Sequence, residues 1–147
     1  MLDNRKIIWD AECEMKDSYA VTSSALASVD AVAKIFDTGG GYTTGLVDIY
    51  VSAIDGTSST GDILYEISLQ GSASSTFATP IVTLATIELG GSSANKATRS
   101  DAAGLYKMFW SNMFSDTVYR YLRIYTTVTG TTGTGITYTA QMAKGRA

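Results

Sequence analysis

Apolar and polar residues alternate with a period of two through most of this chain, a pattern typical of β-strands with one buried face. The inward row of the segment 46–53 consists of Val47, Ile49, Val51 and Ala53, with Asp48 and Ser52 facing outward. The inward row of the next segment consists of Ile63, Tyr65, Ile67 and Leu69. Further strands are predicted at Ile81 to Leu89 and at Leu105 to Trp110. With clusters of Gly, Ser and Thr between them, about seven strands predict an all-β sandwich or barrel.

The last part of the chain carries the densest aromatic pattern. A strand from Val118 to Val128 is followed by a Thr/Gly turn and a second strand from Ile136 to Met142, which predicts a final hairpin. One side of the first strand carries Leu122, Ile124 and Val128. The other side carries Tyr119, Tyr121, Arg123 and Tyr125. We expect the first side to serve the core and the second to meet a partner.

The beginning of the chain is less regular. Residues 1–20 are predicted to form an extended N-terminal arm with an apolar patch that includes Trp9, and residues 21–147 a single β-sandwich domain. Between residues 23 and 36, Val29, Val32 and Phe36 fit helical spacing, but the same stretch also alternates as a strand. We favour a strand that follows a loop.

Composition narrows the functional classes. A chain of 147 residues can bury roughly 70% of its unfolded surface in one domain, so it needs no disulfide. Its one cysteine, Cys13, cannot form one internally. The net charge of -3 opposes electrostatic capture of nucleic acid. Neither a secretory hydrophobic region nor a membrane helix is visible, so we expect a soluble protein without a cleaved signal and without a membrane partner.

The chain contains no histidine, which excludes Ser-His-Asp and Cys-His catalysis and nearly all catalytic zinc sites. The carboxylates of Asp10, Glu12 and Glu14 alternate onto one face, where a general acid/base pair or a calcium site is conceivable. A solvated acidic edge that discourages strand pairing explains them better. We therefore expect no catalytic residue, metal or cofactor, and no enzyme.

The aromatic residues exceed what one sandwich core of this size requires. The candidate partner interface consists of Trp9, Trp110, Tyr119, Tyr121, Arg123 and Tyr125. Aromatic side chains and arginine are enriched where proteins bind other proteins. An exposed patch of them on a soluble chain predicts a partner surface.

Short segments along the chain resemble a known family. They are Met1 to Asp3, Ala20 to Ser24, Ile67 to Ser72, Thr76 to Thr79, Thr83-Leu84, Arg120 to Ile124 and Ile136 to Ala140. Together they are similar to the capsid cement proteins of tailed bacteriophages. The chain departs from that pattern at Lys107, a charge within an aromatic strand, and at the loop from Gly90 to Asp101.

The resemblance implies a jellyroll-like antiparallel β-sandwich on the outer surface of an icosahedral virion, made in the host cytoplasm. Its partners would be the major capsid protein, whose subunits it bridges, and further copies of itself in a homodimer or trimer. Trp110 and the tyrosine side of the last hairpin would form one such contact, and the arm with Trp9 would cross a capsomer boundary. The alternative is a glycan-binding β-sandwich module of a phage receptor-binding apparatus, with Tyr and Trp stacked on sugar rings.

Overall fold

The structure, a computed structural model, describes residues 13–55, 63–91, 100–130 and 133–144. These residues form strands and loops, and none of them belongs to an α-helix. Among them, no helix is long and apolar enough to span a membrane. The all-β class expected from the period-two pattern is therefore confirmed.

Seven long strands carry the fold. They are β1 (Glu14–Val21), β6 (Thr44–Ile54), β7 (Leu64–Ser72), β8 (Val82–Leu89), β9 (Gly104–Ser111), β12 (Tyr121–Thr129) and β13 (Ile136–Lys144). Six two-residue strands complete the set within the described ranges. They are β2 (Ala25–Leu26), β3 (Ser28–Val29), β4 (Val32–Ala33), β5 (Phe36–Asp37), β10 (Met113–Phe114) and β11 (Thr117–Val118).

The long strands form two antiparallel sheets. Sheet A has the order β1-β13-β6-β9, and sheet B has the order β2-β12-β7-β8, with β5 also paired to β12. The pairs are nested along the chain: β7 pairs β8, β6 pairs β9, β2 pairs β12, and β1 pairs β13. A long hairpin rolled up on itself gives this nesting, and the result is a jellyroll-like sandwich.

The core lies between the two sheets and draws on both. Sheet B contributes the row Ile63, Tyr65, Ile67 and Leu69, as the alternation predicted, together with Leu122 and Ile124. Sheet A contributes Val47, Ile49, Val51, Met108, Tyr138 and Met142. A buried hydrogen bond of 2.6 Å joins the hydroxyls of Thr126 in sheet B and Tyr138 in sheet A. The buried tyrosine thus satisfies its polar end across the core.

The predicted final hairpin is wrong. β12 pairs β7 in sheet B, whereas β13 pairs β1 and β6 in sheet A, so the connection between them crosses from one sheet to the other. Asp55 fixes this crossing, because its Oδ2 accepts hydrogen bonds from the amides of Gly133 at 2.7 Å and Gly135 at 3.0 Å. The Tyr65 hydroxyl donates to the same carboxylate. Burial raises the pKa of Asp55, but these hydrogen bonds together outweigh it and hold the pKa below its usual value.

The inward position predicted for Ala53 is also wrong. Val51 is buried, but both Ser52 and Ala53 are exposed. The register explains the change, because Tyr138 lies opposite Val51 and its neighbour Thr137 lies opposite Ala53, leaving Ser52 as an extra residue. Such a β-bulge reverses the alternation of the strand beyond it.

The predicted boundary of the N-terminal arm also needs correction. Glu14 to Ala20 belong to β1 and pair with β13, so these residues are part of the sandwich. Residues 1–12 of the predicted arm lie outside the described residues. Residues 23–36 form short strands and no helix, as favoured. A turn at Asp30 and Ala31, with φ of 51° and 63°, joins β3 and β4, as in two-residue hairpins with a type I′ turn.

Candidate functional site

Two residues of the predicted partner interface lie inside the protein. Trp110 is 4% exposed and Tyr119 is 7% exposed, so neither side chain is available to a partner in this fold. Trp110 alternates inward with Met108 on β9, and it packs against Gly45, where any side chain would collide with the indole ring. The prediction for these two residues is therefore corrected.

The remaining described residues of that prediction lie on the outer side of β12. Tyr121, Arg123 and Tyr125 are half-buried. The Arg123 Nε donates a 2.8 Å hydrogen bond to Gln70 Oε1, and its guanidinium lies 4.3 Å from the centre of the Phe77 ring. Burial lowers the pKa of Arg123 from its ordinary value. Arg123 thus already has contacts within the chain. A partner role for Tyr121, Arg123 and Tyr125 stays a prediction. Trp9 lies outside the described residues.

A strongly exposed apolar surface lies on the outer face of sheet A. We call it the sheet A face; it consists of Leu46, Asp48 and Tyr50 on β6 and Leu105, Lys107 and Phe109 on β9. Phe109 is 73% exposed, Leu105 57% and Tyr50 55%. Because β9 carries apolar residues on both of its sides, the period of two alone could not tell which side is buried.

Charge occupies the middle of the sheet A face. Lys107 Nζ lies 3.0 Å from Asp48 Oδ1 across the β6–β9 pair. Register places Leu105 opposite Tyr50 on one side of this ion pair and Phe109 opposite Leu46 on the other. Exposed ion pairs stabilise a fold by about 0–1 kcal/mol, so this pair contributes little to folding. It does mark the centre of an otherwise apolar surface.

A second exposed apolar surface lies where β9 ends and β6 begins. We call it the loop end; it consists of Tyr42, Ile81, Met113 and Phe114, all exposed. β10, which carries Met113 and Phe114, contacts β8, the strand that begins one residue after Ile81. The buried amide of Asn112 lies beneath these loops and connects them.

Four polar contacts hold the Asn112 side chain. Its Oδ1 accepts a 2.8 Å hydrogen bond from the Thr43 amide, and its Nδ2 donates to Gly41 O at 2.9 Å. The same nitrogen lies 3.2 Å from Tyr119 O and 3.4 Å from Thr38 Oγ1. The segment 38–43 and Tyr119 are thereby both fixed to one side chain, so the loop end is a defined surface.

An ion pair strengthens the same end. Arg120 donates from Nε and Nη2 to the two oxygens of Asp37, at 2.8 and 3.0 Å. This hydrogen-bonded guanidinium, together with the Gly39 amide, lowers the pKa of Asp37 to about 2. Lys144 Nζ reaches the neighbouring Thr38 carbonyl at 2.8 Å.

Lys16 is an unusual buried cation. Its Nζ donates to the carbonyls of Asp17, Tyr19 and Tyr138 at 2.9 to 3.0 Å. It also lies 3.5 Å from the ring centre of Tyr19 and 4.3 Å from that of Tyr138. Burial lowers the pKa of Lys16 to about 8, partly offset by the charge of Asp17. All three donors are used inside the protein, which indicates a structural role.

Neither a metal-binding cluster among the described residues nor a similar protein points to a catalytic reaction. No cluster of three or more Cys, Asp or Glu side chains able to hold a metal occurs in the described part of the chain. Of the acidic residues considered from the sequence, only Glu14 is described, in β1. No protein-family model matches the chain, and no curated protein matches it.

Proposed function

We infer that this protein works by adhesion, as a capsid cement protein that binds the outer surface of a tailed-phage capsid and bridges major capsid protein subunits. The observation that carries the proposal is the pair of exposed apolar surfaces, the sheet A face and the loop end, on a tightly hydrogen-bonded sandwich. Exposed apolar patches on soluble proteins commonly mark protein contacts. The resemblance of the sequence segments to phage cement proteins supplies the partner.

The loop end is the surface we assign to the capsid. Met113 and Phe114 project from a short hairpin, and the Asn112 network below them fixes the backbone. A preorganised surface loses little conformational entropy on binding, so a small contact can still be specific. A shell presents many identical sites, and linked contacts raise apparent affinity by roughly 10² to 10⁴. Each single contact therefore needs only modest strength.

The test uses purified chain and assembled shells of the major capsid protein from the phage that encodes it. Shells and bound protein are separated from free protein by sedimentation, and the bound fraction is measured over a range of concentrations. We expect saturable binding, weakened at least about tenfold by combined Met113→Ser and Phe114→Ser, since buried aromatic contacts often contribute 2 kcal/mol or more, which is about 30-fold.

The matched control is Val32→Ser, which removes an exposed apolar side chain from the β3–β4 hairpin. This variant should bind shells like the unmodified chain. Absence of saturable binding by the unmodified chain would overturn the proposed function. Equal binding by the Met113/Phe114 variant would show that the capsid contact lies elsewhere.

A further inference from the structure

The sheet A face has an ordered pattern of charge and apolar surface. Three rows cross β9 and β6: Phe109 with Leu46, Lys107 with Asp48, and Leu105 with Tyr50. The middle row holds one cation and one anion side by side, 3.0 Å apart. Apolar pairs flank it in both directions along the strands. A cation on one strand and an anion on the next allow a copy of this surface to complement itself.

We propose that the sheet A face is the contact between two copies of this chain, related by a two-fold axis parallel to β6 and β9 that passes between them. Rotation by 180° about that axis places β9 of one copy over β6 of the other. Lys107 then faces Asp48 of the second copy, and Asp48 faces Lys107 of the second copy. Each charge gains a second partner, and the contact is reciprocal, as two-fold symmetry requires.

The apolar rows agree with the same axis. Phe109 comes to lie over Leu46 of the second copy, and Leu105 over Tyr50 of the second copy. Every large apolar side chain of the face therefore meets another. The strands of the two facing sheets run nearly parallel to the axis, and this arrangement matches the aligned packing of sheets at about −30° in β-sandwiches.

A two-fold axis perpendicular to the strands gives a different charge pattern. It would place Lys107 opposite Lys107 of the second copy and Asp48 opposite Asp48 of the second copy. Like charges that face each other in a closed contact cost several kcal/mol of binding free energy. The ion pair thus selects the axis as well as the partner.

The partner is a second copy because the face complements itself: each charge meets the opposite charge, and each apolar side chain meets another apolar side chain. A purely apolar patch would accept many partners, but here an anion and a cation must each find its opposite at the same spacing. The dimer requires no capsid, so its test is independent of the proposed function. A dimer also presents two loop ends to a shell at once.

The first experiment measures the oligomeric state of the full chain by sedimentation equilibrium over a wide concentration range. The unmodified chain should dimerise. Phe109→Ser should raise the dimer dissociation constant by about 100-fold or more, because each dimer contains this highly exposed aromatic residue twice. Since Phe109 is 73% exposed, the variant should keep its fold, which its thermal transition will verify. Val32→Ser is the matched control and should dimerise normally.

The second experiment tests the charges. Lys107→Asp and Asp48→Lys should each be monomeric alone, because each would place four like charges together. Their equimolar mixture should form a heterodimer, since every charge then faces its opposite. Lys107→Met should weaken the dimer, whereas the perpendicular axis predicts a tighter one.

Three results would overturn the proposal. They are a monomeric unmodified chain at all concentrations, an unchanged dissociation constant for Phe109→Ser, and a tighter dimer for Lys107→Met. Failure of the two charge variants to pair in the mixture would exclude the reciprocal contact.

Discussion

Removal of the Asn112 side chain should loosen the loop end and destabilise the whole sandwich. In an Asn112→Ala variant the backbone contacts of this residue remain, because its amide binds Thr43 O at 3.1 Å and its carbonyl accepts from the Tyr119 amide at 2.7 Å. Only the side-chain contacts are lost. The variant therefore measures the contribution of the side-chain amide alone, with the backbone hydrogen bonds of residue 112 kept.

The magnitude follows from the lost hydrogen bonds. Three of the four contacts are 2.8, 2.9 and 3.2 Å long and connect to backbone atoms of Thr43, Gly41 and Tyr119. A typical hydrogen bond contributes about 1 kcal/mol net, and buried partners left unpaired cost as much or more. The free energy of unfolding should fall by about 3 kcal/mol. For a domain of this size, a midpoint of thermal unfolding lower by about 6 to 12 °C is expected.

The assay is urea unfolding followed by tyrosine and tryptophan fluorescence, with thermal unfolding as a second measurement. Gln70→Ala is the matched control, because this half-buried amide makes one hydrogen bond, to Arg123, and should cost about 1 kcal/mol or less. A cost for Asn112→Ala no greater than that for Gln70→Ala would refute the assignment of Asn112 as the residue that holds the loop end.

Two further predictions concern the sandwich itself. Because burial lowers the pKa of Lys16 to about 8, while an unfolded lysine titrates near 10.4, the unfolded chain binds more protons between these values. The free energy of unfolding should therefore rise from about pH 8 to about pH 10, and Lys16→Met should abolish the rise in urea titrations; a persistent rise would implicate another group. Gly45→Ala should destabilise the fold by about 1–3 kcal/mol or more in the same titrations, because its Cβ would collide with the Ala143 carbonyl and the Trp110 ring. Gly41→Ala, which meets open space, should change little, and equal costs for the two glycines would contradict this packing argument.

The sequence pattern predicted the strands of sheet B well. The row Ile63, Tyr65, Ile67 and Leu69 alternates without interruption and is fully buried, because β7 has no bulge before Leu69. In β6 the same reasoning failed at Ala53, where one extra residue reversed the alternation. A bulge carries no distinctive residue type here, so the sequence gives no warning of it.

The candidate site was harder to predict than the strands. Trp110 and Phe109 are adjacent on β9 and similarly apolar, yet one is buried and the other is 73% exposed. Which side of β9 is buried depends on its pairing with β6, and a period of two contains no information about pairing. The same limit explains the wrong hairpin, since β12 and β13 are neighbours in sequence but lie in different sheets.

The pairing of β1 with β13 has a consequence for synthesis of the chain. Lys16 finds one of its three carbonyl acceptors on Tyr138, which lies 122 residues later. At ribosomal rates of about 5–20 residues per second, roughly 6 to 25 s pass between the synthesis of Lys16 and the synthesis of that acceptor. Sheet A therefore cannot close before β13 has been synthesised. Its edge at β1 is the last to gain a neighbour, and until then the nascent molecule is open to pairing with the wrong strand.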